Sequence, residues 1–165
     1  MLSANLAVGF AAGMLLHLLL VVLVSARPLL RRLDRLFFFL FGALLLWHGG
    51  NLLTLALEPF HGQHRGVLII FARVVAFTGL AALSPLLVDV HAEYAQAAWR
   101  RYAWVFYLPL VAAPFGVWAA ATAPGIPRGP WTTGFILYFA AALLVASLTN
   151  VGLGRRAAEI GRAHV

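Results

Sequence analysis

The sequence predicts an all-α protein: a polytopic membrane helix bundle with five spans, its amino terminus outside and its carboxy terminus in the cytoplasm. Three observations predict it. Hydrophobic residues make up 63% of the 165-residue chain and charged residues 10%, against roughly 45–50% and about 25% in ordinary globular domains. A soluble fold of this size has too little interior to hide so much apolar surface. The apolar residues fall in continuous runs near the ~20 residues that a helix needs to cross ~30 Å of hydrocarbon. None of them alternates as a barrel strand does. Finally, the chain has no lysine, and its arginines cluster in alternate turns between the runs.

Span one runs from about Asn5 to Ser25 and is rich in Leu and Val. No positively charged region precedes it and no small-residue cleavage site follows it, so a retained span is expected rather than a signal peptide. Span two runs from about Leu36 to Leu57 and opens on the aromatic block Phe37-Phe38-Phe39. Span three covers about Gly66 to Val90, span four Tyr102 to Thr122 and span five Trp131 to Val151. Pro85, Pro109 and Pro114 fall inside spans, where each removes a backbone hydrogen bond and favours a kink. Trp99, Trp104 and Trp131 stand at span ends, where an indole sits well with one edge wet. The loops Glu58-Pro59-Phe60-His61-Gly62-Gln63-His64 and Ala123-Pro124-Gly125-Ile126-Pro127-Arg128-Gly129-Pro130 are rich in turn formers. Neither is long enough to fold as a domain.

The arginines set the orientation. Arg27, Arg31, Arg32 and Arg35 follow span one, Arg100 and Arg101 follow span three, and Arg155 and Arg156 follow span five. The opposite loops carry Arg65 and Arg128, and Arg73 lies within span three. Eight against two assigns the arginine-rich turns to the cytoplasm. The 12 basic and 5 acidic residues leave +7 and an isoelectric point near 11.3, a balance that elsewhere suggests nucleic acid. Here the arginines punctuate apolar runs and form no soluble basic face. The expected partner is the lipid bilayer, and no nucleic acid is expected. The absence of cysteine removes disulfides, Fe–S clusters and thiolate metal sites.

The last residues, Glu159-Ile160-Gly161-Arg162-Ala163-His164-Val165, match codon for codon one frame of GAGATCGGAAGAGCACACGTC, a common short-read sequencing adaptor. Residues 159–165 are therefore expected to be read-through, with 1–158 as the native module and the natural protein continuing further. His164 is accordingly no ligand candidate.

Ionisable groups at membrane depth are costly and mark functional positions. His17 and His48 lie near the middle of adjacent antiparallel spans, at depths about 5 Å apart by the rise per residue. They read either as bis-histidine ligands of haem b or as imidazoles bonded to backbone or hydroxyl groups. Spans three to five hold no further histidine at matching depth, which favours the second reading. In Trp47-His48-Gly49-Gly50-Asn51, an aromatic ring, an imidazole, two small residues and an amide share little more than a turn. Small residues allow close helix approach, and the polar ones are placed to line a pocket in the outer half. Span two runs outward and span three inward, so Asn51 and Arg73 fall at similar depth. Trp47, His48, Asn51 and Arg73 are the ligand-sensing candidates, with an anionic lipid headgroup as the plainer partner for a snorkelling Arg73.

Asp89, His91 and Glu93 form a polar cluster at the inner end of span three. Asp89 and Glu93 are four apart and share a helix face, while His91 points elsewhere. His-x-Glu is not a helix-spaced ligand pair and no second histidine is near, so no metal is expected. Interfacial pairing with Arg100 or Arg101 is expected instead. No nucleophile triad, Gly-rich phosphate loop or metalloprotease signature is present, and no catalytic residue is expected in this chain.

Taken in order, the residues form a wider pattern. A first span followed by Arg27-Pro28 and more arginines leads to Leu44-Leu45-Leu46-Trp47-His48-Gly49-Gly50. Then comes Arg73-Val74-Val75-Ala76-Phe77-Thr78-Gly79-Leu80-Ala81-Ala82-Leu83-Ser84-Pro85-Leu86-Leu87, closing with His91-Ala92-Glu93-Tyr94. Over about residues 5–150 this resembles the seven-span amino-terminal sensor region of bacterial histidine kinases, a module also found ahead of diguanylate cyclases. In that family a Trp and a Gly mark span two, a Gly-x-x-x-x-Pro-like element marks span three and a Glu-Tyr closes it; Ser84-Pro85 stands where Pro-Pro is more typical. The resemblance implies an external amino terminus, two further spans and an internal transmitter domain. It also implies a bacterial cytoplasmic (inner) membrane location, a homodimer through the missing carboxy-terminal part, and a response regulator as partner if the whole protein is a sensor histidine kinase. Two readings from other classes stand beside it. One is a haem- or quinone-binding membrane subunit using His17 and His48, the other a small transporter or scaffold fragment.

Overall fold

A computed structural model of the chain describes residues 2–26, 28, 31–59, 65–122 and 128–163. Most of the two predicted turn-rich loops, and tail residues 164–165, lie outside these. The described elements are all helical: α1 (Leu2–Ser25), α2 (Arg32–Leu57), α3 (Arg65–Tyr94), a 3₁₀ segment (Ala98–Tyr107), α4 (Leu108–Thr122) and α5 (Arg128–Ala163). α1, α2, α3 and α5 contain stretches long and apolar enough to cross a membrane, Ala4–Ser25, Arg32–Leu57, Gly66–Tyr94 and Thr133–Leu153. The chain is a multi-pass helix bundle.

The fourth predicted span is helical but broken. Its first part belongs to the ten-residue 3₁₀ segment and its second is the 15-residue α4. α4 alone is about 22 Å long, too short for ~30 Å of hydrocarbon. With the 3₁₀ segment, rising about 2 Å per residue, the pair covers about 40 Å. Side-chain contacts establish that together they make the crossing. Phe77 of α3 packs on Phe135 of α5 with ring centroids 4.6 Å apart, and further along both helices Phe139 meets the cluster containing Leu83 and Leu86. α3 and α5 therefore run parallel. The Tyr138 hydroxyl donates to the Phe106 carbonyl, whereas Val145, Leu148 and Thr149 lie beside Trp99, so α5 runs antiparallel to the 3₁₀ segment. The chain between α3 and α5 must return across the bundle, which puts the start of α1 and the end of α5 at opposite faces.

Pro109 accounts for part of the break. It has no N–H for the carbonyl three residues back, Phe106, and Tyr138 of α5 supplies a donor there. Pro130 sits in the first turn of α5, where backbone N–H groups lack helical partners anyway. No later proline interrupts that helix, so its 36 residues run well past the predicted span. α2 likewise starts one turn before Leu36, and α3 continues one turn past Val90; charged residues in both extra turns find partners, described below.

The closest packing is between α2 and α3. A Cβ on Gly50 would lie 2.5 Å from the Ala76 nitrogen and 2.7 Å from the Ala72 oxygen, and one on Gly79 would lie 2.5 Å from the Ala43 oxygen. Small residues let these backbones touch, the usual means by which membrane helices gain packing contacts without a hydrophobic driving force. Toward the arginine-rich end the helices are separated by larger side chains, Leu36 and Leu40 against Leu83, Leu86 and Val90. α1 packs along α2 with its other face open, where large residues such as Leu15, Leu19 and Leu23 stay more than half exposed, as expected of a lipid-facing helix.

Candidate functional site

The polar side chains converge at the arginine-rich end of the bundle. Asp89, on the last turns of α3, is 6% exposed. A buried carboxylate needs a counter-charge and hydrogen bonds to offset lost hydration, and Asp89 has both. Arg32, in the first turn of α2, donates to its Oδ1 at 2.8 Å. The Tyr107 hydroxyl, at the end of the 3₁₀ segment, donates to its Oδ2 at 3.2 Å. One carboxylate thus ties together α2, α3 and the start of the return crossing. Glu93, one turn on, extends the network, lying 3.6 Å from Arg32 and 3.9 Å from Arg100.

A sharp turn brings the 3₁₀ segment back to this network. Gln96 takes a positive φ of 48°, while the Ala97 N–H donates to the Ala92 carbonyl and the Gln96 N–H to the Glu93 carbonyl. These bonds satisfy carbonyls that the helix end leaves open, and here a non-glycine residue holds the left-handed position. The Gln96 side chain offsets part of that strain: its Nε2 donates to the Glu93 carbonyl and its Oε1 accepts from Arg100.

The expected partners of Asp89 and Glu93 are therefore half right. Glu93 does approach Arg100, but Asp89 pairs with Arg32, and Arg101 instead lies over the ring of Tyr102 at 4.8 Å. The reason is topological. Antiparallel packing of α2 on α3 places the first turn of one beside the last turn of the other, so Arg32 faces Asp89 across the interface. His91 turns away, its Nδ1–H donating to the Leu87 carbonyl of its own helix at 2.6 Å. Among the described residues no group of three metal-ligating side chains forms.

His17 and His48 do come together. Their rings stack with centroids 5.1 Å apart and planes 17° from parallel, flanked by Trp47 at 4.7 Å and Phe10 at 6.0 Å from His48. Gly13 makes room for this: a Cβ there would lie 2.6 Å from the His48 ring. The His17 Nδ1–H donates to the Gly13 carbonyl at 2.6 Å, and the buried Nδ1 of His48 has no partner among the described residues. Two imidazoles that ligate one haem iron approach it nitrogen-first from opposite faces of the macrocycle. Here the rings lie flat against each other, and the His48 ring fills the space against Gly13. The pair as placed does not fit a haem.

The outer-half candidates do not assemble into one pocket. Trp47 and His48 touch, but the Asn51 amide donates to the Trp47 carbonyl at 2.8 Å within its own helix. Arg73 is exposed and makes no ion pair with a described residue. Ala72 and Ala76 face α2, so Arg73, one step of about 100° further round α3, is turned away from the interface. The residues missed from sequence are Arg32 and Tyr107. Arg32 was visible as a charge in the turn before span two; nothing in the sequence marked Tyr107.

The chain matches no family model, no curated protein and no solved structure in any of the three comparisons.

Proposed function

We propose that the chain is the membrane-embedded sensing and transmitting module of a bacterial sensor-kinase-type signal-transduction protein. It lies in the cytoplasmic membrane with its amino terminus outside and its arginine-rich end inside, where positive loops are retained. One observation supports the reading most: several of the residues that carry the family resemblance lie where α2 meets α3. A Cβ on Gly79 would lie 2.6 Å from the Trp47 nitrogen, Ser84 and Pro85 are fully buried, and Glu93 approaches Arg32. A family signature spent on one helix contact is what a module that works by helix rearrangement requires.

Transmission in this reading needs two helix arrangements and a stimulus that interacts differently with each. The contact from Asp89 to Arg32 and Tyr107 is the element that such a rearrangement would make or break, since it hydrogen-bonds α2, α3 and the 3₁₀ segment at a single buried carboxylate, with Glu93 beside it near Arg32 and Arg100. The last helix would then carry the change to a cytoplasmic dimer, and from a kinase to its response regulator. The test is the genomic reading frame past codon 158. Further spans followed by a phospho-acceptor helix and an ATP-binding domain support a kinase; a Gly-Gly-acidic-acidic-Phe-type motif supports a cyclase. A stop codon shortly after span five defeats both.

A further inference from the structure

A second feature of the arginine-rich end is independent of signalling. Between the 3₁₀ segment and α5 lies an open-sided groove of about 310 Å³ lined by Trp99, Val145, Leu148 and Thr149. The Thr149 hydroxyl donates to the Val145 carbonyl at 2.8 Å, so the lining offers no spare hydroxyl proton and suits an apolar occupant. In a 3₁₀ helix residues three apart share a face, which sets Tyr102 above Trp99. The Arg101 guanidinium lies over the Tyr102 ring, where an aromatic face holds a cation. Arg100 is engaged by Gln96 and Glu93, whereas Arg101 is exposed and makes no ion pair with a described residue. Tyr94, Tyr102 and Trp104, at this end of the chain's course, are all more than half exposed, as aromatic residues at a membrane interface are. A cation with no anion among the described residues therefore stands at an interface beside an apolar groove open to the bilayer.

We propose that this groove binds an anionic phospholipid, one acyl chain lying between Trp99 and the Val145–Thr149 turn of α5 and the phosphate held by Arg101. The test reconstitutes the full 165-residue chain in mixed micelles of phosphatidylglycerol and phosphatidylethanolamine with matched acyl chains, and counts retained lipids by native mass spectrometry. Preferential retention of phosphatidylglycerol is expected. Arg101→Gln should lower that preference about five-fold, the worth of one arginine beside an anionic headgroup. Leu148→Trp, which fills the groove at an exposed position, should lower retention of both lipids. Arg35→Gln, at the same end of the bundle but away from the groove, should change the preference clearly less than Arg101→Gln does. Equal losses from Arg35→Gln and Arg101→Gln would reduce the effect to general surface charge and overturn the proposal. So would equal retention of the two lipids, an unaltered Leu148→Trp, or displacement of the lipid by inorganic phosphate.

Discussion

Replacing Asp89 by Asn keeps its shape and removes its charge, leaving Arg32 at the helix interface with only the longer approach of Glu93, at 3.6 Å, as counter-ion. Breaking a fully buried pair costs about 3–5 kcal/mol; the Arg32 side chain is 44% exposed, so water recovers part of that, and about 2 kcal/mol is expected for Asp89→Asn. Tyr107→Phe removes one donor to the same carboxylate and should cost about 1 kcal/mol. Unfolding in mixed detergent micelles measures both, and the double variant Arg32→Gln/Asp89→Asn should lose less than the sum of its single changes. Strict additivity would mean that the two side chains do not interact. The stacked histidines carry a separate expectation: chain incubated with haem and then freed of unbound haem should retain no Soret band, and a retained band that disappears in His48→Ala would contradict the geometry described. Asp89, Glu93, His17 and His48 were all legible as special because charge and imidazole are rare at those depths. Their partners were not. Sequence distance makes Arg100 and Arg101 the nearest cations to Asp89, but pairing depends on which turns the antiparallel packing sets side by side. In the same way, depth alone groups Arg73 with Asn51, while rotation about the α3 axis turns them onto different faces.

Among the elements, α2 and α3 depend most on local sequence. Gly50→Ala introduces a methyl group 2.5 Å from a backbone nitrogen, which cannot move without shifting α3, and should destabilise the chain by about 2 kcal/mol. Gly42→Ala is the control: nothing lies within 4 Å of its new Cβ, so relief of backbone entropy should make it neutral or stabilising by up to about 1 kcal/mol. If both substitutions act alike in the same unfolding assay, the close approach of the two helices is wrong. These helices were readable because a continuous apolar run of the right length has few alternatives in lipid, where backbone groups must be satisfied internally. The 3₁₀ segment was not readable from that signal. Ala98–Tyr107 is as compatible with an α-helix as with a 3₁₀ helix, and Pro109 alone hinted that hydrogen bonding changes there. Its geometry is set from outside, by the turn at Gln96, the Tyr107 bond to Asp89 and the Tyr138 bond to Phe106.

For the whole molecule, function rests on topology. In the proposed reading the amino terminus lies outside and the signal leaves through the cytoplasmic end of the last helix, an arrangement that an odd number of crossings provides. Apolar length alone favours four crossings, since α4 is short; the parallel course of α3 and α5 requires a fifth. The absence of cysteine from these 165 residues makes this directly measurable, because a thiol introduced into this chain is the only one in it. Single cysteines at Ala26 and Gln96 report the arginine-rich end, and at Glu58 and Thr122 the opposite end. In intact cells, an impermeant maleimide should label the Glu58 and Thr122 variants and should reach the Ala26 and Gln96 variants only after permeabilisation. Labelling of Thr122→Cys from the same side as Gln96→Cys would remove the fifth crossing, and with it the proposed route of the signal.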